Sequence, residues 1–144
     1  MRGELVVDKV NPVTGEVVRV AETHNLFLNQ GYTHLAKLLA GDDAANQQVA
    51  KMQFGTGTDS PLVTDTLLQT PITPIKDIAS RTYPTDDTAQ LVVYLLVGEA
   101  NGFPISEAGL VAANGELIAR AVFAPHLKTS DYQFKFTWTL TALP

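Results

Sequence analysis

The chain has 144 residues, of which 45% are hydrophobic and 17% are charged, and its formal net charge is −5. This length and composition fit one globular domain with a hydrophobic core and argue against intrinsic disorder. The lysines and arginines are scattered singly, so nucleic acid is a poor candidate partner. The absence of cysteine excludes disulfides, a cysteine nucleophile and thiolate metal sites.

The sequence contains no segment that is typical of membrane insertion. Its first ten residues, MRGELVVDKV, lack the apolar core of a signal peptide. The longest apolar run, 91–97, is far shorter than the roughly 20 residues that span a bilayer. We therefore expect a soluble protein that is made in the cytoplasm and does not contact membranes.

Residues 1–22 predict a β-hairpin. Two β-rich stretches, GELVVDKV and EVVRVAET, flank the turn sequence NPVTG, in which proline presets one φ angle and glycine accepts a positive one. This hairpin is a candidate assembly arm that reaches a neighbouring protein.

The next stretch, NLFLNQGYTHLAKLLAGDD, predicts one amphipathic helix. Asn29 is the expected N-cap, and Gly41 suits the C-terminal end. The apolar face is expected to contain Tyr32, Leu35, Leu38 and Leu39.

The remaining chain predicts strands separated by loops. VAKMQFGTGT is a short strand that ends in glycines, and residues 58–74, rich in Ser, Thr, Asp and Pro, are mostly loop. Five further β-type runs follow, namely PIKDIASRTYP, TAQLVVYLLVGE, the two halves of 105–123, and DYQFKFTWTLTAL. We predict a mostly β fold, an antiparallel β-sandwich with one α-helix near the N-terminus, forming a single domain over residues 1–144.

Residues 105–123, ISEAGLVAANGELIARAVF, predict a second hairpin. The dipeptide Asn114-Gly115 favours a two-residue type I′ turn, which pairs Val111 with Ile118. One face of this hairpin is expected to lie on the core, and it contains Ala108, Leu110, Ala112, Leu117, Ala119, Ala121 and Phe123.

The other face of this hairpin carries two charges, Glu107 and Arg120. In the predicted register Gly109 faces Arg120 and leaves room above it, and Glu107 is the diagonal neighbour of Arg120. One interpretation makes Glu107 a general base or a ligand. We favour a structural salt bridge that fixes the register or faces a partner chain, because a matched pair neutralises itself and no second carboxylate or nucleophile lies nearby in sequence.

Other patterns give little support to catalysis or cofactor binding. GTGT at 55–58 lacks the third glycine of a dinucleotide fingerprint and the Gly-Lys-Ser/Thr of a phosphate loop, so it predicts a turn. The three histidines lack the spacing of a zinc site, and Asp42-Asp43 lacks the alternating ligands of a calcium loop. We expect no cofactor, no metal and no small-molecule substrate. Trp138 and its alternating aromatic neighbours favour sheet core or an intersubunit surface over a ligand platform.

Short motifs follow one another in order from residue 24 onward. An Asn-x-x-x-x-x-Gly helix start precedes a Phe-Gly-x-Gly strand end, a Glu-x-Gly-Leu hairpin, an Arg-x-x-Phe, and a Lys before a Trp-containing final strand. The residues concerned are Asn25, Gly31, Phe54, Gly55, Gly57, Glu107, Gly109, Leu110, Arg120, Phe123, Lys128 and Trp138. This order resembles bacteriophage tail proteins, a group that includes the N-terminal domains of tail-collar fibre proteins and small baseplate-associated proteins.

The resemblance implies a structural protein of a tailed-phage virion, without catalysis, in a tail, baseplate or collar component that attaches fibres or joins neighbouring subunits. Its implied partners are further copies of the chain and other phage virion proteins, and its implied location is the virion, assembled in the host cytoplasm. Such a domain usually heads a long fibre, whereas this sequence stops at Pro144, so we expect an adaptor, collar or decoration role. The 56–74 loop and the N-terminal hairpin are the candidate contact regions. A capsid decoration protein and a small carbohydrate-binding β module are the alternatives.

Overall fold

The computed structural model describes residues 1–143. Alternating apolar residues and frequent turn residues produce ten strands and two helices in this part of the chain. In chain order they are β1 (Arg2–Val10), β2 (Val17–His24), β3 (Leu26–Phe27), α1 (Asn29–Ala40), α2 (Ala44–Gln47), β4 (Val49–Gly55), β5 (Pro71–Asp77), β6 (Ser80–Thr85), β7 (Thr88–Leu95), β8 (Pro104–Ala112), β9 (Leu117–Leu127) and β10 (Gln133–Thr141).

The strands form two five-stranded antiparallel sheets, which confirms the predicted β-sandwich. The first sheet has the order β2-β1-β10-β7-β6, and the second has the order β3-β9-β8-β4-β5. The core between them is built from residues that alternate along the strands. Phe134, Phe136 and Trp138 of β10 are fully or almost fully buried in this core, so the aromatic residues of the last strand are packing residues and not a ligand platform.

The N-terminal hairpin is part of the first sheet. β1 pairs with β10 over its whole length and with β2 on its other side. Leu5 and Val7 of β1 are buried in the core. The hairpin is therefore an integral part of the sandwich, because removing residues 1–22 would take core side chains and one partner strand of β10 away. Its part in assembly stays a prediction, and its second strand, β2, lies at the edge of the sheet.

Helix α1 begins and packs differently from the sequence-based expectation. Its N-cap is Leu28, with no side-chain cap, so Asn29 is the first helical residue, whereas Gly41 takes the predicted left-handed conformation at the C-terminal end. Tyr32 and Leu39 are exposed. Leu35 and Leu38 face the sandwich as predicted, together with Gly31 and His34. No helix in residues 1–143 is long and apolar enough to cross a membrane.

The segment after β4 differs from the prediction at two points. The irregular loop covers residues 56–70, and β5 starts at Pro71, earlier than expected. The run PIKDIASRTYP is not one strand but two, since β5 pairs with β4 in the second sheet and β6 pairs with β7 in the first. Residues 78 and 79 therefore cross from one sheet to the other.

The β8–β9 hairpin has a three-residue loop and not the predicted type I′ turn. Gly115 has a positive φ of 94°, but Asn114 does not, and the Ala112 amide donates to the Glu116 carbonyl. This geometry is the loop in which a left-handed glycine precedes a bulge. The longer loop pairs Val111 with Leu117, so the predicted partnership of Val111 with Ile118 is wrong, and a bulge at Ile118 follows.

The shifted pairing also changes the face of Leu117. Leu117 packs with Val111 on the outer side of the second sheet, and Ile118 enters the main core in its place. Beyond the bulge the predicted register is correct, with Gly109 opposite Arg120 and Glu107 opposite Val122.

Gly31 allows α1 to lie close to β9, and a substitution at this position tests that close packing. A Cβ at this position would lie 2.3 Å from the Ile118 carbonyl oxygen. We expect Gly31→Ala to lower the free energy of unfolding by about 1–3 kcal/mol in urea denaturation, because backbone atoms cannot move aside cheaply. Gly98→Ala is the matched control, since nothing lies within 4 Å of its Cβ position. Equal stability of the two variants would contradict the close packing.

Candidate functional site

A buried carboxylate, Glu107 of β8, organises the outer side of the second sheet. It is fully buried and accepts hydrogen bonds from three backbone amides. The Gly57 amide donates to Oε2 at 2.5 Å, the Thr70 amide donates to Oε2 at 2.9 Å, and the Gln69 amide donates to Oε1 at 2.9 Å. Because these amides belong to the two ends of the 56–70 loop, a single side chain closes that loop at its base.

Two glycines make room for this carboxylate. A Cβ on Gly57 would lie 2.0 Å from Glu107 Oε2, and a Cβ on Gly55 would lie 2.8 Å from Glu107 Cγ and 2.5 Å from the Thr70 carbonyl oxygen. Any side chain at either position would displace the carboxylate or the loop backbone. The glycines of the Phe-Gly-x-Gly motif and the glutamate of the Glu-x-Gly-Leu motif therefore fit together in space.

Arg120 of β9 connects the carboxylate to the middle of the loop. Its Nε donates to Glu107 Oε1 at 3.2 Å, its Nη1 to Asp65 Oδ2 at 3.1 Å and its Nη2 to the Asp59 carbonyl oxygen at 3.0 Å. The guanidinium is 3% exposed, so these bonds are protected from water. Charge-assisted bonds of this kind are stronger than neutral ones.

A small apolar cluster supports the loop beside these charges. Leu68 of the loop packs with Leu28, Val111 and Leu117, and all four are buried. A Cβ on Gly109 would lie 2.3 Å from Leu117 Cδ1 and 3.1 Å from Leu68 Cδ2. The expectation that Gly109 leaves room above Arg120 is therefore wrong, because its space is filled by leucine side chains.

The geometry favours a structural role for Glu107. A carboxylate has about four lone-pair sites, and Glu107 receives four donors from three amides and Arg120. Its oxygens are thus occupied and remote from water, whereas a general base needs an oxygen within reach of a substrate. A recess of about 220 Å³ beside Arg120 is lined by loop residues, without Glu107. Within residues 1–143, no group of three or more His, Asp or Glu side chains is placed to hold a metal.

Lys128 forms a second buried polar contact at the end of β9. Its Nζ donates to Asn101 Oδ1 and to the Thr129 carbonyl oxygen, both at 2.9 Å, and lies 6.0 Å from the centre of the Tyr132 ring. Burial lowers the pKa of the ammonium below its ordinary value, and the nearby Glu99 partly opposes this effect. Lys128 thus holds the 96–103 connection to the start of the last strand.

The other residues of the motif series serve packing. Phe54, Leu110, Phe123 and Trp138 belong to the main core. The Trp138 indole Nε1 lies 3.3 Å from Asn25 Oδ1, and Asn25 fills the space that the absent side chain of Gly3 leaves. These residues are spread over both sheets, so only the subset around Glu107 forms a local cluster.

Sequence reasoning missed several partners of this cluster. Asp65 and the Asp59 carbonyl bind Arg120, the Ser106 hydroxyl donates to the Gly57 carbonyl at 2.6 Å, and the Gln69 side chain binds Asp59. These residues do not recur at a helical or strand period in the sequence, so no pattern identified them as members of the cluster. A buried charge in a strand was the available signal, because it requires several partners that the sequence does not identify.

No family model, curated protein or solved structure matches the chain. The interpretation of the cluster therefore rests on its own geometry.

We expect Glu107→Ala to destabilise the fold without removing any chemistry. The substitution leaves one buried amide, two part-buried amides and one nitrogen of Arg120 without their acceptor. Breaking such a buried charged network costs about 3–5 kcal/mol, which thermal and urea denaturation would detect.

Asp77→Ala is the control for this experiment. The Asp77 carboxylate pairs with Lys51 at 3.1 Å on the surface, where the Asp77 side chain is 82% exposed. Exposed ion pairs of this kind contribute little to the free energy of unfolding. Wild-type thermal stability together with wild-type assembly in Glu107→Ala would refute the structural role.

Stability should also depend on pH through Glu99. Burial raises the pKa of this carboxyl, but hydrogen bonds from Lys76 and the Leu96 amide outweigh that effect, and the pKa lies below the ordinary value of 4.5. A carboxyl with a lowered folded pKa stabilises the protein above its unfolded pKa, and this contribution is lost as the pH falls through the folded value. Urea denaturation at acidic pH should show a steeper loss in the wild type than in Glu99→Gln. Identical pH slopes would contradict this assignment.

Proposed function

We propose that the protein is a structural component of a tailed-phage virion, placed in a tail, baseplate or collar assembly where it attaches fibres or joins neighbouring subunits. The observation that carries this proposal is the convergence of Gly55, Gly57, Glu107 and Arg120 on one buried network. These residues belong to the ordered motif series that resembles phage tail proteins. Together they hold one loop in a fixed conformation, which is a structural role.

The 56–70 loop suits contact with another protein. It is held at its base by Glu107 and at its middle by Arg120, and the Asn29 amide donates to the Val63 carbonyl at 2.8 Å. Three apolar side chains on it nevertheless face solvent, with exposures of 61% for Leu62, 45% for Val63 and 76% for Leu67. A loop that is already ordered loses little conformational entropy on binding, and exposed apolar groups gain from burial.

Self-association is the first test of the proposal. Light scattering of the purified chain over a range of concentrations is expected to give a closed oligomer, and electron microscopy is expected to show a ring or a trimer. Leu67→Asp should weaken this association and leave the unfolding temperature unchanged. Leu39→Asp is the matched control, since Leu39 is 83% exposed on α1, away from the loop.

The location in the particle is the second test. Mass spectrometry of purified virions from the phage or prophage that encodes the chain should detect it among the structural proteins, and immunogold labelling should place it on the tail. Labelling of the capsid shell would instead favour a decoration protein. A strict monomer that is also absent from purified virions would overturn the proposal.

A further inference from the structure

Lys128 and Asn101 form a contact between a buried amine and a carboxamide just beyond the end of β9. The Lys128 side chain is fully buried, and its Nζ donates to Asn101 Oδ1 and to the Thr129 carbonyl oxygen, both at 2.9 Å. Both acceptors are uncharged oxygens, which offset the desolvation of an ammonium less well than a paired carboxylate does. Burial accordingly lowers the pKa of Lys128, and the charge of Glu99 opposes this only in part.

Hydrogen bonds hold the two side chains in this contact from both sides. The Gly102 amide donates to the Lys128 carbonyl oxygen at 2.9 Å, and the Lys128 amide donates to the Phe103 carbonyl oxygen at 3.1 Å. The Asn101 carboxamide is fixed at its other end, since its Nδ2 donates to the Val97 carbonyl oxygen at 2.9 Å. The amine and the carboxamide are thus in contact before any reaction, and this removes a large part of the entropic barrier to bond formation between them.

We propose that Lys128 and Asn101 join in an intramolecular isopeptide bond. The bond between Lys128 Nζ and Asn101 Cγ forms, and the bond between Asn101 Cγ and Nδ2 breaks. Of the three protons of the lysine ammonium, one stays on the new amide and two leave with Nδ2 as an ammonium ion. Atoms and charge therefore balance without an oxidant or a co-reactant.

The environment of the two groups favours this reaction. A neutral amine is the nucleophilic form of lysine, and burial makes that form easier to reach. Asn101 is exposed to solvent, so the ammonium ion can leave. Because that ion diffuses away, the bond accumulates even where the neutral amine is a minor form of Lys128.

The product is a covalent link in a chain that contains no cysteine. It ties the 96–103 connection to the segment between β9 and β10, and a link between distant residues restricts the unfolded chain as a disulfide does. This modification site lies outside the Glu107 network and does not depend on the virion role.

Mass spectrometry of the purified chain, incubated in its folded state at neutral pH, tests the proposal. The intact mass should fall by the mass of one ammonia molecule. Trypsin should then fail to cut after Lys128 and should release peptide 82–120 joined to peptide 121–135. Tandem spectra should place the link between Asn101 and Lys128. The chain incubated in urea should give no such joined pair, because unfolding separates the two side chains.

Variants separate this bond from simple loss of ammonia. Asn101→Ala removes the electrophile at an exposed position, and Lys128→Arg keeps the positive charge but removes the amine, so the joined peptides should vanish in both. Asn114→Ala is the matched control, because Asn114 is also exposed and also precedes a glycine, and the link should remain.

Three results would overturn the proposal. One is an intact mass of the folded wild type that shows no loss of ammonia. Another is a loss of ammonia without joined peptides, which would indicate ring closure of Asn101 onto the Gly102 nitrogen. The last is a joined pair that persists in Asn101→Ala.

Discussion

The Glu107 carboxylate is the interaction on which the outer half of the structure depends. A charge with no exposure to water is tolerated in a protein only when donors surround it. Here the donors are amides from both ends of the 56–70 loop and the guanidinium of Arg120. The loop must close for the charge to be satisfied, and the charge must be buried for the loop to be held. The two events are therefore coupled in folding.

This coupling explains how a long irregular loop is kept in one conformation. Loops of this length without regular structure lose much conformational entropy when they are ordered. Leu68 inserts between Leu28, Val111 and Leu117 and adds apolar burial to the polar bonds. The second sheet is consequently covered on both faces, by the first sheet on one side and by the loop on the other. Apolar side chains at the exposed part of the loop can then meet another protein without further ordering.

The closeness of Glu107 and Arg120 could be predicted because register survives an error in the turn. The sequence suggested a two-residue turn, whereas the structure has a three-residue loop followed by a bulge at Ile118. The bulge absorbs the one-residue difference, so pairing from Leu110 outward is the same in both cases. Leu117 lies between the turn and the corrected register, and for that reason its face was predicted wrongly.

The sequence by itself determined the fold class, most of the strands and most of the core, because alternation along a strand decides which side chains are buried wherever the strand is placed. It also determined that two opposite charges share a face. Only the tertiary structure decided that β5 and β6 join different sheets, that β1 lies inside its sheet, and that Asp65 reaches Arg120. These contacts join residues far apart in the chain, and their choice depends on the path of the backbone between them. No local spacing or propensity encodes that path.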